Sequence, residues 1–402
     1  MTQAGIIARG TARQRSLLFS SCRLGEMALP NRIVMPPMSR GRTGAGETAT
    51  ALMAEYYRQR ASAGLLIGES AQISQQGQGF AWAPGLHSAV QIAGWRVVTD
   101  AVHAAGGRIF AQLWHAGRMS HVSLQPGRVA PIAPSVVPVP ATRLFIDSPG
   151  DRTADRRDRF VTASAPRALE AHEIDDIVHD FSRAARHAID AGFDGVELHG
   201  AHGYLIQQFL DPYTNLRDDR YGGSLSNRLR FPCEVARAVV DEIGAERVGL
   251  RLAPWRTPED DTVESVGLAL ARRMDEIGLI YLHLCETERA NCLPLSDAFR
   301  RALRMIYRGT LIYTGGYTAD RAEAALHEGW ADLIGFGRLF ISNPDLPHRL
   351  WHGLPLASGD RVTYFGGMAA GYTDYPTARE MAVTRDSAYQ PSAHSQDSAY
   401  SI

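Results

Sequence analysis

Eight short apolar runs recur along the chain, each followed by a stretch of helical length, and this alternation restricts the fold more than any other feature. The runs are RIVMPPM (32–38), LLIGESAQIS (65–74), RIFAQLWH (108–115), GVELHG (195–200), VGLRLAP (248–254), IYLHLC (280–285), TLIYTGG (310–316) and LIGFGRLF (333–340). Several are apolar on both faces, as parallel strands buried between helices must be. The segment 170–192 shows the alternating partner: apolar residues at 174, 177, 178, 181, 184, 185, 188 and 189 form a helical stripe that Gly192 ends. Stretches near 89–105, 226–243, 262–277, 318–328 and 342–352 behave alike. Gly106, Gly192, Gly244 and Gly278 stand where a left-handed C-cap wants no side chain. The pattern predicts an α/β protein, a single (β/α)8 TIM barrel. A doubly wound sheet competes, but the strand count favours the barrel, and no Gly-x-Gly-x-x-Gly turn follows the first strand.

The rest of the chain fits around that barrel. Residues 1–16 read as a flexible N-terminus, 17–378 as the barrel domain and 379–402 as a polar, flexible tail. The residues before the first strand are expected to cap the barrel bottom. The connection 120–168 after the third run is unusually long and rich in Pro, Val and Arg, which predicts a lid or wall over the top face.

Composition removes whole classes of function. Net charge is −1, so no basic surplus meets nucleic acid. All 42 basic residues are Arg. Without lysine there is neither a Schiff base nor a P-loop. The four cysteines, at 22, 233, 285 and 292, form no Cys-x-x-Cys pair, which argues against a disulfide framework or structural zinc. No apolar run has secretory or membrane-spanning length, so a cytoplasmic protein is expected.

In a barrel, chemistry sits where strands end. The first run ends in Pro36-Pro37-Met38-Ser39-Arg40, a rigid exit with a hydroxyl at the rim. The third presents Gln112 and Trp114, two apart and so on one face. A buried amide in an apolar strand needs partners, whereas Trp114 fits core packing equally well. The fourth ends in His199, His202 and Tyr204. Three readings compete for that group: structural histidines, a metal pair lacking further ligands, or two donors to a substrate oxygen beside a phenol. Arg251 in the fifth strand needs an anion, either an internal carboxylate such as Glu197 or a ligand that becomes negative. Gly315, Gly316, Gly337 and Arg338 end the seventh and eighth runs, where barrels often bind phosphate. A phosphate-bearing, electron-accepting ring meets all these needs. Flavin mononucleotide (FMN) fits better than pyridoxal phosphate, which requires Lys.

The block ELHGAHGYLIQQFLDPYTNLRDDRYGGSLSNRLRF (197–231) is similar to the signature of the Old Yellow Enzyme family of FMN-dependent ene reductases. The likeness extends to MPPMSR, ESAQIS, WAPGLHS, FAQLWHAGR, IGFGRLFISNPDLPHRL and YFGGMAAGYTDYP, over roughly residues 17–378. Within that family the chain resembles the bacterial pentaerythritol tetranitrate and N-ethylmaleimide reductase type. The resemblance implies tightly bound FMN, NADPH or NADH as hydride donor, and an enone, enal or nitro substrate. It implies that Pro37, Met38, Ser39, Ser70, Gln112, Arg251, Gly315, Gly316, Gly337 and Arg338 hold the cofactor. Arg251 would stabilise the reduced ring, His199 and His202 would bind the substrate oxygen, and Tyr204 would donate the proton. Trp114, Phe80 and Phe365 would line the pocket; Phe80 and Phe365 stand where relatives often carry Tyr, which makes it more apolar. Three rivals remain at this stage: a flavin-dependent isomerase or oxidase, a non-catalytic ligand-binding barrel, and a metallohydrolase built on the histidine pair. Monomer and dimer are equally open.

Overall fold

A computed structural model describes residues 16–140, 142–146, 160–254, 262–286 and 293–381. Nearly all of the expected N-terminal segment, most of the expected tail and the middle of the 120–168 connection therefore lie outside the described residues.

Eight parallel strands close on themselves. They are β1 (Ile33–Met35), β2 (Leu65–Ile67), β3 (Ile109–Trp114), β4 (Gly195–Gly200), β5 (Val248–Leu252), β6 (Tyr281–Cys285), β7 (Thr310–Thr314) and β8 (Leu333–Gly335). Each pairs with the next, and β8 returns to β1 through Ile334 beside Ile33 and Gly335 beside Val34. The helices follow in order: α1 (Ala51–Arg58), α2 (Ala89–Ala104), α3 (Ala171–Asp190), α4 (Arg230–Ile243), α5 (Thr262–Ile277), α6 (Asp297–Ile306), α7 (Ala319–His327) and α8 (Leu346–His352). Several starts are written in the sequence. Ser88 and Gln91 form a capping box on α2, and Ser296 and Thr318 accept from backbone N–H groups of α6 and α7. The expected architecture is the observed one. Gly106, Gly192, Gly244 and Gly278 all have positive φ at helix ends.

Two expected strands differ in detail. The run 65–74 is broken: Leu66 and Ile67 pair with Ile109 and Phe110, but Ala71 and Gln72 pair with Leu113 and Trp114. One extra residue on the β2 side forms a bulge at Gly68–Ser70, which re-aims Ser70. The run 333–340 is a strand only to Gly335; Gly337–Ser342 is a short helix. Glycines at 335 and 337 interrupt the strand, and Phe340 and Ile341 are buried from helical positions. The segment expected to be helical from 342 starts at Leu346.

Two cores result. The larger fills the mantle between barrel and helices. The smaller fills the lower barrel: Val34, Leu65, Ile67, Phe110, Tyr281, Ile312 and Leu333 meet Leu24 and Leu29 of an antiparallel hairpin, Cys22–Leu24 with Met27–Leu29. That hairpin closes the bottom, as expected of the N-terminal region. Each such fully buried side chain stabilises by about 1.5–3 kcal/mol. In the long connection, Arg143–Phe145 and Phe160–Thr162 form a hairpin. Its Phe145 packs on Trp82 and Phe365 at ring distances of 4.9 and 5.1 Å. No described helix is long and apolar enough to cross a membrane.

Candidate active site

Above the apolar floor the barrel interior turns polar, and the side chains come from alternate positions of successive strands. Gln112 of β3 lies beside Glu197 of β4 in the strand register, and its Nε2 donates to Glu197 Oε1 at 2.7 Å. The bulge turns Ser70 so that its hydroxyl donates to Gln112 Oε1. Glu197 Oε2 accepts from His283 Nδ1 at 2.7 Å and from the Tyr281 hydroxyl at 3.2 Å. His283 Nε2 meets Thr314 Oγ1 at 2.7 Å. Four strands and the bulge after β2 thus share one buried network. Glu197 serves Gln112, Tyr281 and His283; the internal Arg251–Glu197 ion pair weighed from sequence is not how the described side chains pair.

Two residues further along the same strands stand His199 and Arg251, side by side in register. Arg251 is only 6% exposed. Its Nη2 reaches Cys285 Sγ at 3.5 Å, and its Nε has no hydrogen-bond partner. A buried guanidinium whose main neighbour is a sulfur is poised for an anion. Burial, then His202 and Arg251, push the His199 imidazole well below its ordinary pKa, so it is neutral at neutral pH. The Ala201 N–H donates to His199 Nδ1 at 3.3 Å, which puts the proton on Nε2. His202 is held at φ +59°, an uncommon conformation for a non-glycine residue. It places Nδ1 3.4 Å from His199 Nε2 and Nε2 3.4 Å from Cys285 Sγ.

Tyr204 begins the turn into a short helix, Leu205–Leu210. Its ring meets His199 edge-on at 4.8 Å and Trp114 at 4.7 Å. Trp114 contacts Phe80 at 5.0 Å, and Phe80 contacts Phe365 at 5.7 Å. One aromatic wall therefore runs from the imidazoles to the rim. The Trp114 indole N–H is buried without a partner.

The other expected positions surround this mouth. Pro37, Met38 and Ser39 leave β1. A Cβ on Gly337 would lie 3.6 Å from Pro36 and 3.7 Å from the Met38 sulfur, so the β1 and β8 exits touch. Gly315 and Gly316 follow β7 with φ of +146° and +61°. A Cβ at Gly315 would sit 2.5 Å from the Glu286 carbonyl oxygen, so only glycine fits there. Arg338 is exposed beside Gly337. His283, Tyr281, Thr314 and Cys285 join the site without having been singled out from sequence. A polar residue inside an apolar strand, the signal that marked Gln112, also marks His283.

These donors suit a flavin. Gln112 has used one N–H and one lone pair and retains one of each. Arg251 offers an unpartnered N–H, and the glycine exits bring backbone close to one another at the strand ends where a phosphate is expected.

Comparison with known proteins agrees. Residues 17–357 match the family described as the NADH:flavin oxidoreductase / NADH oxidase family. A putative 12-oxophytodienoate reductase 11 of Oryza sativa subsp. japonica is 41% identical over 370 residues, covering 89% of this chain and 97% of its own. The 12-oxophytodienoate reductase 2 of Arabidopsis thaliana is 39% identical, covering 92% and 98%. A solved structure of morphinone reductase superposes with a TM-score of 0.86 at 43% identity, covering 91% of this chain and 97% of its own.

Proposed function

The chain belongs to the NADH:flavin oxidoreductase / NADH oxidase family, and from that premise we propose that it is an FMN-dependent reductase of activated C=C bonds. Its substrate is an α,β-unsaturated carbonyl or nitro compound. The names of its relatives, reductases of 12-oxophytodienoate and of morphinone, support a carbonyl-bearing substrate. The chemistry FMN would supply when bound is hydride relay, from NADPH or NADH to the alkene. The observation that carries the reading is the buried Arg251, its Nε unpartnered, at the same mouth as two imidazoles and a phenol.

The chain's own residues divide the remaining work. Gln112 and Arg251 would hold the pyrimidine side of the ring, and Arg251 would be a fixed cation where negative charge develops. Ser70 acts through Gln112, whose oxygen it orients. Pro37, Met38 and Ser39 would supply the β1 edge, the Ser39 hydroxyl serving the ring carbonyl. Gly315, Gly316 and Gly337 would offer backbone N–H groups to the phosphate, with Arg338 as a charged donor.

His199 donates from Nε2 and His202 from Nδ1 to the substrate oxygen, which draws electron density from the alkene. Because His199 stays neutral, it donates without surrendering its proton. The Tyr204 hydroxyl holds the proton for the α-carbon, and its fixed position compensates for a phenol pKa of about 10. Trp114, Phe80 and Phe365 hold the apolar body of the substrate. A cytoplasmic setting suits the chain: no disulfide joins the described cysteines Cys22, Cys233 and Cys285.

The test is spectroscopic. Purified protein should be yellow, bleach with NADPH and recover its colour with 2-cyclohexenone. Tyr204→Phe should bleach normally but recover about 10²–10⁴-fold more slowly. Equal slowing of both halves removes Tyr204 as proton donor, and colourless protein after FMN addition removes the reading itself.

A further inference from the structure

Resting on that reading, we propose that Glu197 is a positioning residue beneath the flavin: through Gln112 it fixes the amide that meets the ring, and its charge, set against Arg251, lowers the reduction potential of the bound cofactor.

The first half follows from hydrogen-bond direction. Glu197 and His283 are fully buried. Carboxylate oxygens accept, so Gln112 must turn Nε2, not Oε1, toward Glu197 Oε1. The Ser70 hydroxyl then donates to Gln112 Oε1 from the other side. With both ends pinned, the amide cannot flip. One N–H and one lone pair remain, in a fixed order, for a ring edge that carries a carbonyl and an adjacent N–H.

The second half follows from charge. Every contact to Glu197 is donated to it: by the Gln112 amide, the Tyr281 hydroxyl and the His283 Nδ1–H. None of these cancels its charge. Burial, aided by Arg251, outweighs the upward pull of Glu197 and holds the His283 imidazole below its ordinary pKa, and burial pushes the Tyr281 phenol well up, so both donors are neutral at neutral pH. The His283 ring is in turn oriented by the Thr314 hydroxyl. Arg251 stands beside His283 in the β5–β6 register. The layer under the cofactor therefore holds one negative charge opposed by one cation. Arg251 favours a flavin that gains negative charge on reduction, and Glu197 moderates that effect. Buried networks of this kind seldom stabilise a fold relative to apolar packing, so its presence here calls for another role.

Glu197→Gln separates charge from geometry. A glutamine there can accept from Gln112 and donate to His283 Nδ1 once the imidazole proton moves to Nε2 and toward Thr314, so the network keeps its shape without the charge. The holoenzyme is titrated by dye equilibration against a reference potential, and FMN binding to the apoprotein is followed by flavin fluorescence. The expected result is FMN affinity within about threefold of wild type, with reduction favoured about tenfold. Tenfold is 29.6 mV for a two-electron couple. Tyr281→Phe removes one donor from the carboxylate and keeps the ring packing, so the potential moves the opposite way. A folded Glu197→Gln protein with an unchanged or lowered potential overturns the proposal. If that variant does not fold, an unchanged or raised potential in Tyr281→Phe does the same. Wild-type protein that binds no FMN defeats the functional reading instead, before either variant is made.

Discussion

His115, at the end of β3, supplies the most direct test of the electrostatics of this barrel. Its side chain is buried, its Nδ1 accepts from the Gly117 N–H at 3.0 Å, and its Nε2 has no partner. Burial alone pushes its pKa down to about 3. Its carbonyl accepts from the Leu205 N–H at 3.0 Å, so it also anchors the turn that carries Tyr204. In the unfolded chain an imidazole titrates near pH 6.5. As pH falls below that value the unfolded chain takes up a proton that the folded chain refuses. Stability is therefore complete above about pH 6.5 and is lost progressively as pH drops toward 3. The slope is about 1.4 kcal/mol per pH unit for each such group. From pH 6.5 to pH 5 His115 alone costs about 2 kcal/mol. His199 and His283 are lowered by burial too and steepen the same limb. His115→Asn keeps an acceptor for Gly117 but cannot titrate. Urea unfolding at steps between pH 7.5 and 5 should show the variant less stable at pH 7.5, by roughly 1–3 kcal/mol for the lost ring volume. Its dependence on pH should be shallower by about 1.4 kcal/mol per unit below pH 6.5. Parallel curves for variant and wild type would refute the assignment of a buried neutral imidazole.

Two further substitutions probe the site and its support. His199→Ala removes the Nε2 donor, and binding of a substituted phenol, read from the flavin's long-wavelength band, should weaken about 10-fold or more, since a hydrogen bond to a charged group contributes about 1.5–3 kcal/mol. Unchanged phenol affinity removes His199 from substrate binding. Gly249→Ala puts a methyl 2.2 Å from the Tyr281 ring; overpacking of this kind costs about 1–3 kcal/mol. Its urea midpoint should fall, and its flavin affinity with it, because Tyr281 also holds Glu197. A wild-type midpoint would show that Tyr281 has room to move.

The barrel was legible in the sequence because burial on both faces leaves a strand no polar side, and eight such runs with helices between them have few alternative packings. Where the reading slipped, the deciding information was not local. The bulge at Gly68–Ser70 depends on how β2 registers against β3, and no property of LLIGESAQIS fixes that register. LIGFGRLF is apolar enough for a strand, but a Cβ at position 335 would lie 2.2 Å from Thr314 Oγ1, so glycine is needed there, and the chain then turns into a helix. The site was legible to the extent that its members are polar side chains in apolar strands. Gln112, His199 and Arg251 stood out on that ground, and Tyr204 by its spacing from the two histidines.

His283 carried the same signal but was not singled out, because a single imidazole between Leu282 and Leu284 shows no partner until β5 sets β4 and β6 on its two sides. Its partner, Glu197, was weighed only as a counter-ion for Arg251. Both errors have one origin: in sequence a buried charge invites pairing with the nearest opposite charge, whereas in the barrel each strand offers a new neighbour at every second residue. Glu197 meets three neutral donors from β3 and β6, and Arg251 is thereby left with an unpartnered Nε at the mouth. A carboxylate satisfied by neutral groups and a cation left incompletely satisfied cost stability in the empty protein. That cost is recovered when an anionic, electron-accepting ligand occupies the mouth, so the same arrangement that weakens the apoprotein makes FMN a strong stabiliser of the fold.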